Sequence, residues 1–201
     1  MLANGNGFKL AAMALAMVAL AACAKKDTDN AVDTSAASST AMGADTTGAA
    51  PAGAWTDANI VALLDEANMA DSTAGAVAAT KGTSSAVRDF GKMMMRDHHT
   101  LRAQGAALAK KLNVTPQLPA DDPFASPVQK YTETLTSAAK GKDFDKAYID
   151  GEVDVHKLVL EQATKAAGQA QNTELKNLIQ KAAPLIQAHL TRAESIQKTQ
   201  K

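Results

Sequence analysis

The stretch Met93–Gly105, MMMRDHHTLRAQG, decides how the chain folds. Advancing 100° per residue, as an α-helix does, places Val87, Phe90, Met94, Leu101, Gly105, Leu108 and Leu112 within about 60° of one another. The turn between Met94 and Leu101 on that stripe is filled by His98. His98 is therefore expected to face the interior, whereas His99, about 100° further round, is expected on the polar face. A buried imidazole needs a partner, which other segments of the chain would have to supply.

Three further segments show the same interruption. From Asp57 to Lys81, the residues Ile60, Leu63, Leu64, Ala67, Ala74 and Ala78 share a face, with Asp71 inside the arc. From about Asp143 to Gly168 the stripe is Phe144, Tyr148, Val155, Val159, Leu160 and Ala163; Glu152 lies at its centre and His156 one turn later. From Asn172 to about Gln197 it runs through Leu175, Leu178, Ile179, Ala182, Leu185, Ile186, Leu190, Ala193 and Ile196, with His189 among them. Each of the four helices thus gives an inward position to an acid or an imidazole, which suggests a shared site.

The connections predict how the four pack. Short turns near Gly82 and at Gly168–Asn172 make two antiparallel hairpins. Counted from those turns at 1.5 Å per residue, Asp71 and His98 differ in height by about 7 Å and Glu152 lies nearly level with His189, all near mid-bundle. Between the hairpins, residues 113–142 hold Pro116, Pro119, Pro123 and Pro127 and a short helix beginning near Pro127. That length is enough to cross the bundle from end to end. The expected fold class is all-α, a ferritin-like four-helix bundle over residues 57–201 with a long crossover between its second and third long helices. Aromatics make up 3% of the chain and no alternating strand pattern is seen.

The front of the chain reads differently. Residues 1–22 carry an apolar run from Leu10 to Leu20, shorter than the roughly 20 residues needed to span a bilayer. The run has the length of a secretory signal core and is followed by Leu20-Ala21-Ala22-Cys23. This ending is similar to a bacterial lipobox, which implies a signal peptide cut before a lipidated Cys23 and, with Ala24 next, an outer-membrane lipoprotein facing the periplasm. Cys23 is the sole cysteine, so no disulfide or thiolate metal site is available. Residues 23–56 are dominated by Ala, Thr, Ser, Asp and Gly, a composition expected of a disordered tether. The formal net charge of zero gives no support for a nucleic-acid partner. The partner implied is the membrane, through Cys23.

SSAVRDFGKMMMRDHHTLRAQGAALAKKLNV, FDKAYIDGEVDVHKLVL and PLIQAHLTRAE together resemble the bacterial family called domain of unknown function 4142. The family is one of outer-membrane or secreted proteins with a ferritin-like fold and no established activity. The resemblance covers about Asp57–Ile196 and maps the family's elements onto Asp97-His98, Tyr148 with His156, and Pro184 with His189. Where members often carry Glu in the first helix, this chain has Asp71.

Two readings of the polar cluster fit the sequence. In one, Asp71, His98, Glu152, His156 and His189 bind a divalent transition metal, a ligand mixture suited to Zn, Fe, Mn or Cu. In the other, imidazoles and carboxylates pair inside the core and titrate near neutrality. The paired Glu-x-x-His motifs of di-iron proteins are absent, since Met95 and Ile186 stand three residues before His98 and His189. Of Met93, Met94 and Met95 only Met94 is well inside the stripe, where a Met ordinarily fills space. No nucleophile elbow, P-loop or dinucleotide fingerprint appears. The function expected is a metal- or partner-binding module in envelope maintenance or stress response; the alternative is a metal-dependent redox enzyme on the same helices.

Overall fold

The computed structural model describes residues 53–200. The helices are α1 (Asp57–Lys81), α2 (Ser85–Leu112), α3 (Ala125–Ser137), α4 (Lys142–Gln169) and α5 (Thr173–Thr199), with no strand among the described residues. Residues 1–22, expected to be a signal peptide, Cys23 and most of the expected tether lie outside the described residues. No described helix is long and apolar enough to cross a membrane.

Local chemistry sets the helix boundaries. Thr56 and Asn59 form a reciprocal capping box at the start of α1. Ser84 caps α2 through the amide of Val87, and Asn172 caps α5 through the amides of Glu174 and Leu175. Asn113 ends α2 at φ 53°, a left-handed conformation that asparagine tolerates. Gly141 precedes α4 at φ 144°, a backbone region open to glycine and strained for other residues.

Two aspartates fix how the hairpins meet. Asp57, in the first turn of α1, accepts from the amides of Gln171 and Asn172 at 2.9 and 3.1 Å in the α4–α5 turn. Asp145, in the first turn of α4, accepts from the amides of Thr83 and Ser84 at 2.8 and 2.7 Å, and from the Thr83 hydroxyl, in the α1–α2 turn. Each hairpin's turn is therefore clamped by the first helix of the other. The start of α4 lies at the end of the bundle where α1 finishes, so α2 and α4 run in the same direction. The intervening chain must climb the whole bundle. It begins beside the start of α1, where Gln117 exchanges hydrogen bonds with Ala58 and Asn59, and α3 ends where the Leu135 carbonyl accepts from Lys81. This is the ferritin-like connection.

Around the bundle α1 neighbours α2 and α4, while α5 neighbours α4 and α2; α3 packs outside against α4 and α1. α1 also buries Val61 and Ala62, beyond its expected stripe, and Val61 lies on a face shared with Leu101 and Pro116. Leu185, expected to face inward, is instead 37% exposed, because α5 has only two neighbours and its flank stays open. The core also reaches upstream of the expected boundary at residue 57. Trp55 is buried, its amide donates to Gln169 Oε1 at 2.7 Å, and the Lys165 ammonium lies 3.8 Å from its ring centre.

The α1–α2 hairpin is drawn tight by two glycines that the periodicity did not single out. A Cβ on Gly75 would lie 2.6 Å from the Gly91 carbonyl oxygen, and one on Gly91 would lie 2.7 Å from that of Gly75. Only bare backbone allows the two helices to approach this closely.

Candidate metal centre

The five residues selected by helical phase meet in the middle of the bundle. Asp71, His98, Glu152, His156 and His189 are each no more than 1% exposed, and His99 is exposed as expected. The rings of His98, His156 and His189 form a nearly equilateral triangle, with centroids 5.2, 5.5 and 5.6 Å apart. Each offers a nitrogen within 4.8 Å of those of the other two, and a second group of the same compactness joins Asp71, Glu152 and His156.

One nitrogen of every ring is held from outside the triangle. His98 Nδ1 lies 2.9 Å from Asn68 Oδ1, and the orientation of that amide is fixed because its Nδ2 donates to the Leu64 carbonyl at 2.6 Å. His156 Nδ1 lies 2.9 Å from the Glu152 carbonyl oxygen. His189 Nε2 lies 3.1 Å from Asp97 Oδ2. All three partners are acceptors, so these nitrogens carry the protons. The lone pairs are left on His98 Nε2, His156 Nε2 and His189 Nδ1, none of which has a hydrogen-bond partner in the protein. Fixing the tautomer through the far nitrogen is how proteins orient metal-binding histidines.

Of the two carboxylates, Glu152 is held in a similar way. Glu152 Oε1 accepts from the Tyr131 hydroxyl at 2.9 Å, while Glu152 Oε2 and both oxygens of Asp71 are buried without a partner. Tyr131 reaches the site from α3 because Gly151 leaves room: a Cβ there would lie 2.1 Å from the tyrosine ring.

Imidazoles and carboxylates do lie side by side in the core: His98 is 3.6 Å from Asp71, His156 is 3.5 Å from Glu152 and His189 is 3.1 Å from Asp97, the first two being longer than good hydrogen bonds. All three imidazoles are shifted below the ordinary histidine value. Burial pushes His98 and His156 down to about 4, outweighing the pull of Asp71 on His98, and it lowers His189 as well. Burial also raises Asp71 and raises Glu152 well above its ordinary value, with Asp71 adding to the effect on Glu152. The site thus presents neutral imidazoles with free lone pairs beside two carboxyls that resist ionising unless a positive charge joins them. That donor set fits a divalent cation: two carboxylates would cancel its charge, and the imidazoles would add nitrogen ligands at no further electrostatic cost.

Asn68, Asp97, Tyr131 and Gly151 were not identified as site residues by helical phase. Asn68 carried a signal, since it stands one turn before Asp71 on the same side of α1. Tyr131 and Gly151 carried none locally, because their meeting depends on how the crossover packs.

The sequence pattern described as Domain of unknown function (DUF4142) matches residues 42–196. The chain belongs to the DUF4142 family. A solved structure described as "CopM in the Cu(II)-bound form" superposes with a TM-score of 0.61, covering 74% of this chain and 99% of that one at 13% identity. At that identity the likeness is one of fold. None of the curated proteins matches this DUF4142 chain.

Proposed function

We propose that this protein is a metal-binding module of the bacterial cell envelope, holding a late first-row divalent ion through His98, His156 and His189, with Asp71 and Glu152, which group with His156, as the adjoining carboxylates. The observation that carries the reading is the set of three imidazole lone pairs, each freed by a hydrogen bond at the opposite ring nitrogen and turned into the buried interior beside carboxyl oxygens that have no partner. Buried polar atoms ordinarily find partners; a cation would satisfy the three imidazoles, and Asp71 and Glu152, which group with His156, would lie beside it to balance its charge. Imidazole nitrogens suit Cu2+, Zn2+ and Fe2+. The Cu(II)-bound state of the similarly folded CopM favours copper among them. When bound, the ion would supply a Lewis-acid centre, while the chain's own residues fix the tautomers and balance the charge. The envelope placement rests on the Leu20–Cys23 pattern, which implies lipidation of Cys23 and a periplasmic domain that sequesters or hands on metal in envelope maintenance or stress response.

Elemental analysis of the full chain purified without an affinity tag tests the reading. The wild type is expected to retain a transition metal in near-stoichiometric amount, and the His98→Ala/His156→Ala double variant none. Equal metal in both preparations, or none in the wild type after growth in metal-supplemented medium, would overturn it.

A further inference from the structure

Below the metal centre, toward the end of the bundle where α1 begins, the helices do not close. A cavity of about 230 Å³ lies there, walled by Val61, Leu64, Leu101, Leu178, Ile179 and Ile186. It exists because small residues stand where packing calls for large ones. Gly105 and Ala182 both line it, and a Cβ built on Gly105 meets nothing within 4 Å. Leu64, Leu101 and Leu178, all on inward stripes, are consequently only half-buried.

The two ends of the cavity differ. The exposed residues Ala106 and Pro116 line one side together with the partly exposed Asp65–Arg102 ion pair, and they form the mouth. The inner end is formed by Asp71 and His98, both 1% exposed, whose carboxylate oxygens and Nε2 have no partner in the protein. An apolar chamber therefore leads from solvent to the candidate ligands. An unfilled apolar cavity destabilises a fold in proportion to its volume, and one of about 150 Å³ in another protein takes up benzene. A larger one with a polar floor suits a molecule with an apolar body and a polar head.

We propose that this cavity binds a small molecule with a body the size of a methylated benzene ring, whose single donor-atom head reaches the inner end and becomes an exogenous ligand of the bound metal. The head-group half rests on the metal reading above; the binding of the apolar body does not. Asp71 and His98 Nε2 stand without partners at the inner end, and a bound cation would give a neutral Lewis-base head its complement there.

Two probes of matched shape separate the halves. p-Xylene has the body alone, and 4-methylpyridine adds a ring nitrogen in place of a methyl-bearing carbon. With the metal-free full chain, p-xylene is expected to raise the thermal midpoint by several degrees. The rise is expected to be lost in Gly105→Leu and in Ala182→Leu, either of which fills the space, with helical content checked by circular dichroism. With the Co2+-loaded chain, 4-methylpyridine is expected to shift the visible cobalt bands of the wild type and not of the filled variants, while p-xylene leaves those bands unchanged. Failure of p-xylene to stabilise the metal-free wild type, or an equal response in a folded filled variant, overturns the cavity. A stabilising p-xylene with no cobalt uptake upholds the cavity and overturns the metal reading together with the head group. Cobalt uptake with a spectrum indifferent to 4-methylpyridine overturns the head-group half alone.

Discussion

The hydroxyl of Tyr131, on the helix that crosses the outside of the bundle, donates to Glu152 Oε1 at 2.9 Å over the bare backbone of Gly151. A residue of the crossover thereby helps to hold a carboxylate at the centre of the four long helices. Removing the hydroxyl in Tyr131→Phe leaves a buried acceptor without its donor, a loss of about 1–3 kcal/mol in unfolding free energy. Gly151→Ala is expected to cost at least as much, because the added methyl lies where the tyrosine ring now sits. Urea denaturation of both variants checks the pair; a Gly151→Ala chain as stable as the wild type contradicts the placement of Tyr131.

Two glycines of α2 should respond in opposite directions to one substitution. Gly91→Ala places a methyl 2.7 Å from the Gly75 carbonyl oxygen and 2.8 Å from the Ala79 amide nitrogen, so the hairpin must open, at a cost of about 1–3 kcal/mol. Gly105→Ala meets open space within a helix and gains about 0.5–1 kcal/mol from the lost freedom of the unfolded chain. Thermal midpoints measured side by side should fall for the first and rise for the second.

Asp145 makes the α1–α2 turn sensitive to acid. Burial alone would raise its carboxyl, but the hydrogen bonds from Thr83 and Ser84 outweigh that and hold it below its ordinary value of 3.8. The folded chain therefore favours the charged form more than the unfolded chain does. The contribution is fully present above about pH 3.8 and is lost as pH falls through the lowered folded value. Asp145→Asn should be less stable than the wild type at neutral pH, by about 1–3 kcal/mol. The gap should close in acid, as chemical denaturation across that range would show. A gap that persists unchanged below the folded value would mean that the carboxylate charge is not what holds the turn.

Asp97 orients His189 without belonging to the triangle. Its Oδ2 lies 3.1 Å from His189 Nε2 and its Oδ1 lies 2.7 Å from Arg96 Nε. Asp97→Ala frees the ring to choose its tautomer and should weaken metal binding about 10–100-fold. Arg96→Ala, which removes an exposed side chain, should leave affinity within a few-fold. Competitive titration with a metal chelator gives both values, and equal affinities for wild type and Asp97→Ala would remove Asp97 from the site.

The four long helices and five buried polar residues were legible because helical phase is a local property: each was placed by counting along its own segment. His98 was found because Met94 and Leu101 bracket it, and His189 because Ile186 and Leu190 do. What phase cannot supply is which side of a helix a neighbour covers. Leu185 was assigned inward although α5 has an open flank, and Trp55 was assigned to the tether although it packs beneath Lys165. The polar cluster is legible only in part for a related reason. Proximity along the bundle was readable, but the hydrogen bonds that fix each ring depend on Asn68, Asp97 and a backbone carbonyl, which appear only when the helices are assembled.

Whether the three freed imidazole nitrogens share one metal ion is read out by Co2+ titration of the metal-free full chain followed by visible absorption. The expected result is a set of cobalt bands that saturates at one equivalent, is abolished in each of His98→Ala, His156→Ala and His189→Ala, and is unchanged in His99→Ala, whose imidazole is on the surface. Bands that never saturate, or that survive loss of the three buried histidines and vanish with His99, would contradict the account.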